Sequence, residues 1–162
     1  MQKYLLLLLG LFVSPFIFSQ ILDVNSGSSV SIASGSSVTL GGLEIAPDDT
    51  YVISGDNAIS RTSTAISSGS NSSVSRVYSS TALISGFTGT LTFSYLEGEL
   101  NGIAEGDLVL ELQADDDSWM SYNGTVDQTN NTVSYPFNDA VSFKAVTASA
   151  AGATLTIEDL SP

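Results

Sequence analysis

The side chains able to do chemistry in this chain are almost all oxygen donors. Glu97, Glu99, Glu105 and Asp107 fall within the stretch LEGELNGIAEGD, and Asp115, Asp116 and Asp117 are consecutive. Clustered carboxylates suit hard cations, and Ca²⁺ takes about 6–8 oxygen ligands. They also suit glycoside hydrolysis, which needs two carboxyl groups about 5–9.5 Å apart across a cleft. Neither pattern is well formed. The 97–107 stretch lacks the alternating acidic order of an EF-hand loop, and Asn101-Gly102 within it is a turn signal. Adjacent Asp side chains in an extended chain point in opposite directions, so the triple Asp chelates one ion only if the turn curls. Asp also favours turns because its carboxylate caps nearby N–H groups. Turn chemistry is therefore the expected role of both clusters. Asp115, Asp116 and Asp117 remain the candidate cation ligands, with Ca²⁺ as the cation; no other cofactor is expected.

Composition removes most alternatives. There is no Cys and no His among the 162 residues. Thiolate nucleophiles, zinc–thiolate sites, disulfides and the Ser-His-Asp triad are all absent with them. The formal net charge is −13, and beyond residue 20 only Arg61, Arg76 and Lys144 oppose 17 acidic side chains. Such a surface repels nucleic acid. The chain is not expected to be an enzyme. Each Arg is expected to pair with a carboxylate, because its fork matches that partner.

Aromatic residues offer a second kind of site. Trp119, Tyr122 and Tyr135 would stack on sugar rings if exposed and would fill a core if buried. Trp119 and Tyr122 are the candidate ligand-binding residues, with surface polysaccharide as the partner they suit.

The elements that must position these groups are strands. Val, Ile, Thr, Ser and Tyr dominate after residue 20, and Gly or Asn-Gly interrupts every 8–12 residues or so, the spacing of a β-sandwich or barrel. SGSSVSIA at 26–33 is nearly repeated by SGSSVTLG at 34–41, each copy a Ser-Gly turn followed by a short strand with one apolar face. Two copies are too few for a solenoid. Further strands are predicted at 50–54, 58–64, 73–79, 88–96, 107–114, 118–123, 131–136, 140–149 and 153–159. In 108–112 alternation sends Leu108, Leu110 and Leu112 to the core and Val109 and Glu111 to a wet face. The predicted fold is all-β: an antiparallel β-sandwich with a short N-terminal β-meander. Leu91, Phe93, Leu108, Leu110, Val133 and Phe143 are its expected core.

Residues 1–20 have the layout of a secretory signal peptide: Lys3, an apolar run from Leu5 to Val13, and a plausible cleavage after Ser19 or Gln20. The run is too short and interrupted for a membrane span, which needs about 20 apolar residues. Residues 21–64 are then the meander and 65–162 the sandwich, with 65–72 the one Ser/Gly-rich stretch long enough for a hinge. No membrane-spanning segment is expected once the signal is removed.

One resemblance follows from the order of motifs. TLTFSY at 90–95, ELNG at 99–102, DLVL at 107–110, Trp119 in the next strand and DQTNNTV at 127–133 occur in sequence. Together they resemble a β-sandwich module of bacterial secreted and surface proteins of the type IX secretion system class. The likeness spans roughly Arg76 to Lys144. It implies a structural or adhesive accessory role in large exported proteins, often just before a C-terminal sorting domain, and it carries no catalytic residues. Pro162 falls about where such a sorting domain would begin, so a fragment, a truncated product or a short relative is expected. The expectation is a secreted or outer-surface bacterial module without catalytic activity. Its partners are surface polysaccharide or other surface proteins. A carbohydrate- or calcium-dependent binding module is the second reading.

Overall fold

Two very long strands organise the molecule. In the computed structural model, which describes residues 19–68, 71–153 and 155, Val77–Ser94 forms one strand of 18 residues and Thr132–Ala150 another of 19. Around them the order is β1 (Ser19–Val24), β2 (Ser29–Ile32), β3 (Val38–Leu40), β4 (Leu43–Pro47), β5 (Tyr51–Ser54) and β6 (Asn57–Thr62). The two-residue strands β7 (Ser67–Ser68) and β8 (Asn71–Ser72) precede the first long strand, β9. Then come β10 (Leu108–Gln113), β11 (Trp119–Tyr122), β12 (Thr125–Asp127) and the second long strand, β13. All pairings are antiparallel.

Strands β9 and β13 pair with each other along most of their length but change neighbours halfway. Their first and last parts respectively, at Tyr78↔Val146, lie between β6 on one side and β10 on the other. Their other halves, at Phe93↔Val133, lie between β4 and β12. One side of the sandwich is thus β1-β6-β9-β13-β10-β11, and the other is β3-β4-β9-β13-β12. The crossover is marked by register shifts between Phe137 and Ala145 and by Gly86 and Gly89 at φ 66° and 131°. Strands that switch sheets through bulges are how two sheets share a corner. Gly89 is obligatory there. A Cβ would sit 2.3 Å from the Ala46 carbonyl oxygen and 2.6 Å from Pro47 Cα.

Sequence reading separates 73–79 from 88–96, and 131–136 from 140–149. The structure joins each pair: Gly86 bends the first without ending it, and the second passes through register shifts between Phe137 and Ala145 with no glycine in between. Residues 1–18, most of the expected signal peptide, lie outside the described residues, and β1 already begins at Ser19. Of the strand expected at 153–159 only residues 153 and 155 are described, and Leu155 is buried. The Ser-Gly turns of the repeat behave as expected. Ser28 and Ser36 N–H donate to the Asn25 and Ala33 carbonyls at 3.0 Å each. Gly27 and Gly35 supply the positive φ at the third turn position. The two copies then take different partners, β2 with β5 and β3 with β4.

The core lies between the two sides. Leu91, Phe93, Leu108, Leu110, Val133 and Phe143, all expected there, are at most 3% exposed. Tyr78 and Phe93 meet edge to face across it at 5.8 Å, and Phe87 packs against Tyr51, Phe137 and Phe143 at the bend. Among the described residues no helix is long and apolar enough to cross a membrane.

Candidate functional site

The acidic stretch 97–107 folds as two single 3₁₀ turns, Glu97–Glu99 and Glu105–Asp107, at one end of the sandwich. Glu99 is its anchor. Its Oε2 accepts from the Leu96 N–H at 2.9 Å, closing the first turn. Arg76, just before β9, reaches the same carboxylate with Nε 3.0 Å from Oε2 and Nη2 donating to Oε1 at 3.0 Å. A further Arg76 bond from Nη1 to the Ser94 carbonyl, at 2.9 Å, ties the fork to the far end of β9. Burial alone would lower the Arg76 pKa, but Glu99 outweighs it and the guanidinium is held more firmly charged. Asn101 and Gly102 take φ of 53° and 81°. The Asn101 side chain donates to the Ser73 carbonyl at 2.7 Å and accepts from Ser75 Oγ at 3.0 Å. The buried Tyr95 hydroxyl sits beside Glu105. Burial, with that neighbouring carboxylate, pushes its pKa up to about 12. Glu97 and Asp107 stay exposed. Leu100 and Ile103 pack against the core beneath the loop.

Asp115, Asp116 and Asp117 connect β10 to β11 in a three-residue hairpin loop. Ala114 N–H donates to the Ser118 carbonyl at 2.8 Å and Asp117 N–H to the Ala114 carbonyl at 3.2 Å. Asp117 occupies the left-handed position at φ 68°, where glycine is usual. Asp116 Oδ1 accepts from the Ser118 hydroxyl at 2.6 Å and from the Ser118 N–H at 3.1 Å, which lowers its pKa. Asp117 pairs with Lys144, whose ammonium also donates to the Asp115 carbonyl at 3.0 Å. The Asp116 and Asp117 side chains thus have separate tasks, and Asp115 contributes its backbone carbonyl. Among the described residues no three carboxylates come together as a metal-holding group. Asp127 repeats the capping theme before β13: it accepts from the Thr129 and Asn130 N–H groups and from the Asn130 side chain, which lowers its pKa.

Trp119 and Tyr122 end up on opposite faces of β11. Tyr122 turns towards Tyr135 and Phe137 of β13, with ring centroids 5.1 and 4.9 Å away. Tyr122 and Tyr135 are half-buried, and neighbouring Met120 is 37% exposed. Trp119 shares its face with Ser121, as alternation predicts. Its Nε1 is buried without a hydrogen-bond partner among the described residues.

Two residues of β10 depart from the sequence reading; Val109, expected on a wet face, is 3% exposed. Glu111 was expected on a wet face, yet it is 1% exposed. Strand β10 is flanked by β11 and β13, and every one of its residues is buried. Glu111 Oε1 accepts from Ser121 Oγ at 2.7 Å and Ser149 Oγ at 2.6 Å, with no basic side chain paired to it among the described residues. Burial raises its pKa, and the two hydroxyls oppose that rise only in part. Alternation finds the face of Glu111 but not the coverage of that face. The available signal was a hydroxyl-rich partner set, Ser121 directly opposite Glu111 and Ser149 diagonal to it on β13. Of the basic residues, Arg76 and Lys144 form the ion pairs among the described residues; Arg61 forms neither.

No protein-family model matches this chain, and neither the curated proteins nor the solved structures contain a significant match to it.

Proposed function

We propose that the chain is a secreted or cell-surface structural module, an adhesive accessory without catalytic activity, of the kind its motif order resembles. The observation that carries this reading is the use made of its reactive groups. Glu99, Asp116, Asp117 and Asp127 each hold a turn or a strand end through named hydrogen bonds or an ion pair. Side chains engaged in this way stiffen a scaffold. The leader-like residues 1–20 and the acidic composition agree with export into the medium or onto the outer surface of a bacterium.

The test is export. The chain would be expressed in a bacterial host with and without residues 1–20, and protease accessibility on intact cells and in the medium would be compared. Protease-accessible or released protein that depends on residues 1–20 is the expected result. Equal retention inside the cell in both forms would overturn the reading.

A carbohydrate-binding role is the second reading, and the Tyr122–Tyr135 pair beside exposed Met120 favours it. Glycan binding lost in Tyr122→Ala with the fold intact would promote it over the first.

A further inference from the structure

Two Asn-Gly pairs occur in the described chain, and their surroundings differ. Asn101-Gly102 lies in the loop clamped to β9, and both ends of the Asn101 amide are hydrogen-bonded, to Ser73 and Ser75. Asn123-Gly124 links β11 to β12 outside any regular element, and Asn123 is exposed. Among the described residues its side chain has no hydrogen-bond partner, although bonds are made all around it at Tyr122 and Asp127.

We propose that Asn123 is a site of spontaneous covalent modification in the folded protein, and that Asn101, with the same following residue, is guarded against it. The Gly124 backbone nitrogen loses its proton to solvent and attacks Asn123 Cγ. A C–N bond forms, the Cγ–Nδ2 bond breaks, and ammonia leaves with the proton returned from solvent. The resulting five-membered imide then takes up one water. Opening at the Cγ side gives aspartate, and opening at the backbone carbonyl gives isoaspartate. No redox step is involved. Glycine matters because it presents no Cβ to obstruct the attack.

The product adds one negative charge to an already acidic chain. The isoaspartyl form also lengthens the backbone by one methylene immediately before Thr125↔Ser134, the first rung between β12 and β13. That is a tight place. A Cβ on Gly124 would sit 2.3 Å from the Ser134 carbonyl oxygen. Isoaspartate at 123 therefore loosens β12 from β13.

The same chemistry at Asn101 requires both of its hydrogen bonds to open, which should slow it about ten- to a hundredfold relative to Asn123. The full chain would be incubated in mildly alkaline buffer, folded and in urea, and Asn-to-Asp and Asn-to-isoAsp conversion followed by peptide mapping. In the folded protein Asn123 should convert first, with Asn101 slower by about the factor given by its two hydrogen bonds. In urea the two should converge. Ser75→Ala should quicken Asn101 in the folded protein and leave Asn123 unchanged. Equal rates in the folded state, or a folded-state slowing of Asn123 as large as that of Asn101, would overturn the proposal.

Discussion

Phe93→Ala tests the shared core at its centre. Phe93 is 0% exposed and sits on β9 opposite Val133 on one side and Leu43 on the other. Its ring meets Tyr78 edge to face at 5.8 Å. Tyr78 cannot swing into the vacated space, because its hydroxyl donates to the Gly41 carbonyl at 2.7 Å. The cavity should persist, which places the cost in the upper part of the range for Phe→Ala, about 4–5 kcal/mol including the lost aromatic pair. For a domain of about 140 residues the unfolding entropy near the midpoint is roughly 0.3 kcal/mol/K, so Tm should fall by about 13–17 °C. Phe93→Leu keeps most of the volume and should cost under about 1.5 kcal/mol, or roughly 5 °C. The assay is a far-UV circular dichroism melt of all three proteins. A Phe93→Ala midpoint within about 3 °C of the parent would refute the shared core, since no collapse of this site is that cheap.

Glu111 makes stability depend on pH in an unusual direction. Its folded-state pKa is raised, so its contribution is fully present below the ordinary carboxylate pKa and is lost as pH rises through the folded value. Asp116 and Asp127, whose pKa values are lowered, work the other way and lose their contribution as pH falls. Glu111→Gln should therefore gain on the parent as pH rises above the ordinary carboxylate pKa and through the raised value of Glu111, and a flat difference between the two melting curves over that rise would contradict the burial assigned to Glu111. Gly89→Ala should abolish soluble folded protein or cost more than about 3 kcal/mol, because its Cβ meets backbone atoms that cannot move aside. Gly98→Ala, with open space around it, should melt like the parent.

Much of this architecture can be read from residue order because period-two alternation is a local property. It places Leu91, Phe93, Leu108, Leu110, Val133 and Phe143 in the core, and Asn101-Gly102 and Ser-Gly in turns. It fails where tertiary context decides. Gly86 reads as a loop residue and Gly89 as the start of a new strand, yet β4 and β13 flank that stretch, and the two glycines produce a bend inside one strand. Glu111 reads as a solvated residue, yet its strand lies inside the sheet. Alternation alone puts Trp119 and Tyr122 on opposite faces of their strand, but it does not reveal that Tyr122 meets Tyr135. The carboxylate clusters could be judged as turns from residue type, but not the partners they hold: Arg76 lies 23 positions from Glu99 and Lys144 lies 29 positions from Asp115.

The central claim is that the acidic side chains fasten the fold and do not form a cation site. A calcium titration at constant ionic strength, read as Tm against a chelator control, tests it most directly. An unchanged midpoint through millimolar calcium is the predicted result. A saturable rise in Tm that disappears in Asp116→Asn or Glu97→Gln would contradict the claim.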